Sequence, residues 1–179
     1  VYARIDSYDD ALAHIRRIKA QGGISIKNYN QPRREQRQQV VAAAREEDML
    51  VVAEGGSLFG MDMNLIADGN STIEHNVPGE VFYEDVLQFW EGSQSNYTPT
   101  LVVTYGGLAA DPYWRQATDV FDNPLMVHTP PRQLIAQTAR RVTAPDWAFV
   151  DDEAAREAKK LADRGVKVSI GAHGQQAGV

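Results

Sequence analysis

Residues 68–76 read Asp-Gly-Asn-Ser-Thr-Ile-Glu-His-Asn, and this stretch decides how the chain is interpreted. It is typical of a helix end, a glycine turn and a short strand over residues 72–75 that carries His75 at its carboxyl tip. In parallel α/β folds, catalytic side chains collect at the carboxyl ends of the strands. His75 is therefore a candidate functional residue.

Three other strand-like runs also lead to a residue that can bind a metal. Residues 24–27 end at Lys27, the apolar run 49–54 ends at Glu54, and residues 166–170 are followed closely by His173. One such residue carries little information, but four at matching strand tips predict a shared site.

The rest of the chain alternates between helical and strand-like patterns. Ser7 and Asp10 predict a capped helix that ends at Gly22, Pro32 opens a second helix, and residues 58–67 and 83–91 predict two more. A fourth strand is predicted over residues 98–105 with Pro99 at its start, and residues 106–129 are expected to be an irregular loop. Helices over residues 132–142 and 151–164 are expected to precede the last strand.

This alternation predicts an α/β fold with a parallel sheet and a single domain over residues 1–179. Five strands are too few for a closed eight-stranded barrel. The pattern therefore leaves two architectures, an open doubly wound sheet or part of a (β/α)8 TIM barrel. The chain has no initiator methionine, and its last residues form a glycine-rich stretch directly after a strand, so we expect a fragment of a longer polypeptide.

Composition excludes several classes of protein. The chain is 43% hydrophobic and 23% charged with a formal net charge of −6, which argues against a nucleic-acid partner. It has no cysteine, so disulfides and thiolate ligands are excluded. No apolar run is long enough for a transmembrane helix, and no membrane partner is expected. The cellular compartment stays open.

The candidate residues allow more than one role each. Lys27 is either a solvated lysine at the rim or a metal-bridging or Schiff-base lysine, and it could ligate a metal only after carboxylation of its amine. Glu54 needs a metal, a base or the amides of Gly55 and Gly56 if it is buried. Alternatively, the Gly55–Gly56–Ser57 loop binds an anion.

The two histidines are also open to two interpretations. His75 is either a hydrogen-bonded core residue or a metal ligand, and neutral imidazole suits zinc. If Ile73 and His75 share a face, Glu74 points toward the helices. His173 is a loop residue, a ligand or a proton shuttle. Tyr105, expected at a strand tip, and Asn28 are candidates for substrate contact. The common hydrolase-elbow, dinucleotide, zincin and calcium-loop motifs are absent from the sequence.

Two segments resemble the imidazolonepropionase-like group of metal-dependent amidohydrolases. Residues 69–75 resemble the family's Gly-x-x-x-Ile-Glu-His segment, and residues 165–173 are similar to its last strand. Residues 25–34 and 52–57 are similar to a subgroup that is often fused to a TolB-like β-propeller. The resemblance implies strands four to eight of a (β/α)8 barrel, with one or two divalent metal ions, zinc above all, bound at its carboxyl rim.

The resemblance also implies roles for individual residues. Lys27 matches the often carboxylated lysine of strand four, and His75 matches the histidine of strand six. Glu54 stands where most relatives have a histidine, and His173 stands where most have the aspartate that acts as general base. Lys27 and His75 are therefore expected to be metal ligands. Glu54 is expected to be a metal ligand or a base beside the metal, and His173 a metal ligand or a proton shuttle, so these two residues are also the catalytic candidates. The family's first-strand His-x-His pair is absent.

The expected function is therefore hydrolysis of a C–N bond in a small amide or cyclic amide by metal-activated water. We expect a homo-oligomer or association with the missing part of the barrel, because a half barrel exposes two sheet edges. Two alternatives remain, a catalytically inert barrel fragment and a flavodoxin-like open-sheet module that binds a small ligand.

Overall fold

The computed structural model describes residues 3–29, 31, 33–108, 113, 116, 117, 124 and 144–173. In chain order, the elements are α1 (Tyr8–Ala20), β1 (Ser25–Asn28), α2 (Arg34–Glu46), β2 (Leu50–Glu54), α3 (Phe59–Ala67), β3 (Thr72–Glu74), α4 (Glu84–Ser93), β4 (Asn96–Thr98), a 3-10 turn (Asp146–Ala148) and α5 (Asp151–Asp163). The chain is thus an α/β protein. The predicted helix over residues 132–142 and most of the predicted loop lie outside the described residues.

The four strands form one parallel sheet in the order β1-β2-β3-β4. The last predicted strand adds a single parallel bridge, between Val168 and Tyr97, at the outer edge of β4. Two hydrogen bonds fix it there: the Tyr97 amide donates to Lys167 and the Ser169 amide donates to the Tyr97 carbonyl. Neighbours in the sheet are therefore neighbours in sequence, and the described part has no point where the strand order reverses.

All five described helices pack against one face of the sheet. This face contributes Ile26 and Val51 to one buried cluster, with residues of α1 and α2. It contributes Ala53, Ile73 and Tyr97 to a second cluster, with residues of α3, α4 and α5. Because paired residues of neighbouring strands face the same side, these five side chains define a single helix face.

The opposite face, here called the open face, carries polar side chains on every strand. These side chains are exposed or half-buried, and no described helix packs on them. Its residues, taken from alternate strand positions, are Ser25, Lys27, Leu50, Val52, Glu54, Thr72, Glu74, Asn96 and Thr98. The predicted alternation that put Lys27 opposite Ile26 is confirmed.

Helix ends follow the sequence signals. The Ser7 hydroxyl accepts a hydrogen bond from the Asp10 amide and caps α1, while acidic residues open α5 and Lys160 lies in its last turn. Gly165 has a φ of +88° directly after α5, a left-handed conformation that glycine adopts without a Cβ clash. Both helices are predicted correctly from these local patterns. Among the described residues, none of the helices combines the length and the apolar character needed to cross a bilayer.

The fourth strand is shorter and earlier than predicted. It covers Asn96–Thr98, so Pro99 follows the strand instead of starting it, and residues 101–103 form turns and a bend. Proline has no amide hydrogen for a ladder bond, and Thr100 has a left-handed φ of +48°. The apolar run after Pro99 is therefore not a strand, and Tyr105 lies in a loop and not at a strand tip.

Candidate functional site

Five of the six predicted site residues lie together beyond the carboxyl ends of the strands. Lys27 comes from β1, Glu54 ends β2, and His75 directly follows β3. Tyr105 reaches the same place from the loop after β4, and His173 reaches it from the segment that follows the Val168 bridge. We call these five residues the tip cluster.

Glu54 lies at the centre of the tip cluster. One carboxylate oxygen pairs with the ammonium group of Lys27, whose side chain is 65% exposed, and the other lies 3.4 Å from His75 Nε2. Burial alone would raise the pKa of Glu54, but the hydrogen bond and charge of Lys27, helped by His75, outweigh it and lower that pKa. Glu54 is therefore an ionised carboxylate at neutral pH.

His75 owes its position to an unusual backbone conformation. Its φ is +71°, while its amide still donates to the Thr98 carbonyl at 2.8 Å, as a residue continuing β3 would. A left-handed φ in a residue other than glycine costs of order 1–3 kcal/mol, and such strain often accompanies function. The turn of the backbone breaks the strand alternation and lets the imidazole reach Glu54.

The expected faces of β3 are corrected by this geometry. Ile73 is fully buried against the helices, so Glu74 lies on the open face beside Glu54, its partner in the strand register. The Glu74 carboxylate accepts a hydrogen bond from the Thr72 hydroxyl at 2.8 Å. The expectation that Glu74 points toward the helices required Ile73 and His75 to share a face. They do not, because Ile73 packs against the helices and His75 lies beside Glu54.

The two histidines lie side by side, and each has a ring nitrogen without a described partner. Burial chiefly lowers the pKa of His75; Glu54 opposes the shift and His173 adds to it. The ring centroids of His75 and His173 are 5.4 Å apart. The Nδ1 atoms of both rings are buried and have no hydrogen-bond partner among the described residues. Buried polar atoms are normally satisfied, so these two atoms call for a ligand or water.

Tyr105 stands edge-on to His75, with ring centroids 5.9 Å apart. Burial, followed by the charge of Glu54, raises the pKa of its phenol. The phenol therefore stays protonated at neutral pH and can donate a hydrogen bond to a substrate.

The donor set of the tip cluster suits a divalent metal only in part. Two imidazoles and one carboxylate are a ligand set that zinc accepts, and the two unpartnered imidazole nitrogens fit such a role. Within the described ranges, however, no three His, Cys, Asp or Glu residues are grouped as a metal site would need. Lys27 is paired as an ammonium ion, a form that has no lone pair to offer a metal.

Asn28 does not join the tip cluster. Its side chain is fully buried on the helix side of β1, and its amide nitrogen donates to Asn70 Oδ1 at 3.0 Å. The strand alternation that brings Lys27 to the open face carries Asn28 away from it. We therefore leave Asn28 out of the proposed substrate contacts.

The glycine loop after β2 uses its amides within the protein. The Gly55 amide donates to the Glu74 carbonyl at 2.9 Å, and the Gly56 amide donates to Asp62 Oδ1 at 2.9 Å. A Cβ at Gly55 would lie 2.9 Å from the Glu74 carbonyl oxygen, so the close approach requires glycine. Both amides already have acceptors, which argues against an anion-binding loop and hence against the open-sheet binding module.

Sequence reasoning missed two buried residues that bond to the loops around this site, Asp62 and Asn76. Asp62 is fully buried beneath the glycine loop, and its second carboxylate oxygen has no partner in the described structure. The signal was a lone acid on the buried side of α3. Asn76 is buried beside the tip cluster and bonds to the Tyr105 backbone. No local signal distinguishes it from a turn residue.

Comparison with known proteins adds no assignment. No protein-family model matches the sequence, and no curated protein matches it significantly. The case for a function therefore rests on the chain's own geometry.

Proposed function

We propose that the chain is part of a metal-dependent hydrolase that cleaves C–N bonds in small amides or cyclic amides. The observation that carries the proposal is the tip cluster, in which an ionised carboxylate, two imidazoles, a lysine and a protonated phenol meet at the carboxyl ends of parallel strands. The Nδ1 atoms of both imidazoles have no partner among the described residues. In α/β enzymes this edge of the sheet is where catalytic residues gather.

We further propose that the sheet belongs to a (β/α)8 barrel. Three features support a barrel over a doubly wound sheet: the strands follow in sequence order, the described helices lie on one face, and the other face is polar and uncovered. Parallel sheets are normally buried on both faces. Association with further strands, from the rest of a longer chain or from another copy, would cover the open face.

Each residue of the tip cluster has a role in this proposal. His75 and His173 would hold a divalent metal such as zinc, and Glu54 would act as a third ligand or as the base that takes a proton from the attacking water. When bound, the metal would lower the pKa of water and polarise the scissile carbonyl. Lys27 keeps Glu54 ionised through its ammonium form, so the proposal does not require a carboxylated lysine. The Tyr105 phenol would donate to the substrate carbonyl.

Metal uptake by the purified chain tests the proposal. The chain is incubated with Zn²⁺, desalted and measured by elemental analysis, alongside His75→Ala, His173→Ala and the control His14→Ala. His14 lies in α1, which packs on the helix face of the sheet. We expect about one metal per chain, lost in the first two variants and kept in the control.

Hydrolysis provides the second part of the test. The metal-loaded chain is screened against N-acyl amino acids and cyclic amides, with amine release as the readout and Glu54→Gln as the variant that should abolish it. A folded chain that takes up no metal would contradict the proposal and favour the inert-fragment alternative.

A further inference from the structure

Asn76 connects two parts of the tip cluster that are distant in sequence. Its side chain is 3% exposed, its Nδ2 donates to the Tyr105 carbonyl at 3.0 Å, and its Oδ1 accepts a hydrogen bond from the Tyr105 amide. One carboxamide thus satisfies both backbone groups of a residue 29 positions away. The pair of bonds resembles the one that a residue of a neighbouring strand makes with its own amide and carbonyl.

The loop that carries Tyr105 has no other described long-range backbone bond at that position. Two nearby bonds are local: the Val103 amide donates to the Thr100 carbonyl, and the Thr104 hydroxyl donates to the Leu108 carbonyl. The long-range backbone bond of this loop, from the Leu108 amide to the Ala148 carbonyl at 2.9 Å, lies three residues beyond Tyr105. Gly106, the next residue, has a left-handed φ of +94° and turns the chain away. In the described structure, the amide and the carbonyl of Tyr105 itself are therefore bonded only to Asn76.

Asn76 is itself held firmly by its neighbours. On one side, the His75 amide donates to the Thr98 carbonyl at 2.8 Å, and on the other side the Val77 amide donates to the Tyr97 hydroxyl at 3.2 Å. Tyr97 and Thr98 belong to β4, so residues 75–77 are fixed to the sheet. The Asn76 carboxamide therefore holds the Tyr105 backbone at a fixed distance from His75.

We propose that Asn76 is a positioning residue, which holds the Tyr105 backbone so that the phenol ring stands edge-on to His75. Its catalytic meaning rests on the proposed function, in which His75 binds the metal and Tyr105 contacts the substrate, but the positioning itself does not. Only a side chain that both donates and accepts can replace the two bonds. An ionised carboxylate accepts but cannot donate, and alanine does neither.

The proximity of the two rings can be measured without any activity assay. In the NMR spectrum of the metal-free chain, we expect a nuclear Overhauser effect between the Tyr105 ring and the His75 imidazole. Asn76→Ala should abolish it, because neither hydrogen bond to the Tyr105 backbone can then form. Persistence of the effect in folded Asn76→Ala would overturn the proposal.

A matched control separates positioning from a general loss of stability. Asn70 is as buried as Asn76 and also makes two side-chain hydrogen bonds, one to the Leu65 carbonyl and one to Asn28, but it lies on the helix side of the sheet. Asn70→Ala should therefore keep the contact between Tyr105 and His75. Loss of the contact in both variants would count against a specific role for Asn76.

A second variant keeps the test decisive if Asn76→Ala does not fold. In Asn76→Asp, the protonated acid can donate and accept, whereas the carboxylate can only accept. At pH 7 we therefore expect Asn76→Asp to lose the contact between the rings. A contact that persists in folded Asn76→Asp at pH 7 would overturn the proposal. Failure of metal uptake with these NMR results intact would remove the proposed function and leave the positioning role standing.

Discussion

Asp62 gives the prediction that can be worked out in most detail. It is fully buried in α3, where one carboxylate oxygen accepts the Gly56 amide at 2.9 Å and the other has no described partner. Burial raises its pKa from 3.8 to about 7, and the hydrogen bond from Gly56 opposes that shift only in part. Folding therefore favours the protonated acid.

The sign of the pH dependence follows from this raised pKa. Below the unfolded pKa of 3.8, both states hold the proton and the full stability is present. As the pH rises toward about 7, the unfolded chain releases the proton and the folded chain keeps it, so stability is lost. A separation of about three pH units, at about 1.36 kcal/mol per unit, gives an upper limit of roughly 4 kcal/mol.

Asp62→Asn removes this dependence, because the amide keeps an acceptor for Gly56 and does not ionise. We expect wild type and variant to have similar free energies of unfolding near pH 4. Near pH 7.5 the free energy of unfolding of the variant should exceed that of the wild type by up to roughly 4 kcal/mol. Urea unfolding at intervals from pH 4 to pH 8 measures the difference, in which the contributions of the other carboxylates cancel.

Asn70→Ala serves as a control here because it removes buried hydrogen bonds without changing a titratable group. Its free-energy difference from the wild type should be the same at every pH. If the curves of Asp62→Asn and the wild type run parallel from pH 4 to pH 8, the assignment of a buried, proton-holding Asp62 is refuted.

Three further predictions concern stability. Gly165→Ala should lower the free energy of unfolding by about 1 kcal/mol because of the left-handed φ, although a Cβ there meets no atom within 4 Å. A Cβ at Gly92 would also meet no atom within 4 Å, but Gly92 lies inside α4, so Gly92→Ala should raise the free energy of unfolding by up to about 1 kcal/mol. If urea unfolding showed the same change for both glycine variants, the explanation from backbone conformation would be contradicted. Trp90 is fully buried against Phe82 and Tyr97, so Trp90→Ala should cost about 3–5 kcal/mol, and a loss below 1 kcal/mol would show that the core is not packed as described.

The sequence predicted those parts of the fold that short-range patterns encode. Helix α1 followed from Ser7 and Asp10, the stop after α5 followed from Gly165, and the alternation of helix and strand predicted the parallel sheet. Alternation also placed Lys27 on the open face. The same reasoning failed after β4: the run after Pro99 had the composition of a strand, but Pro99 has no amide hydrogen for a ladder bond and Thr100 has a left-handed φ of +48°.

For the candidate site, the sequence determined which chemical groups were available, and four strand-tip residues already suggested that they meet. It could not determine the faces of Glu74 and His75, because the left-handed φ of His75 breaks the period of two that such arguments assume. Nor could it find Asn76, whose bonds to Tyr105 span 29 residues. Helices and strands depend on the pattern of neighbouring residues, so the sequence alone predicts them. Distances between side chains of different elements depend on how those elements pack, and only the tertiary structure decides this packing.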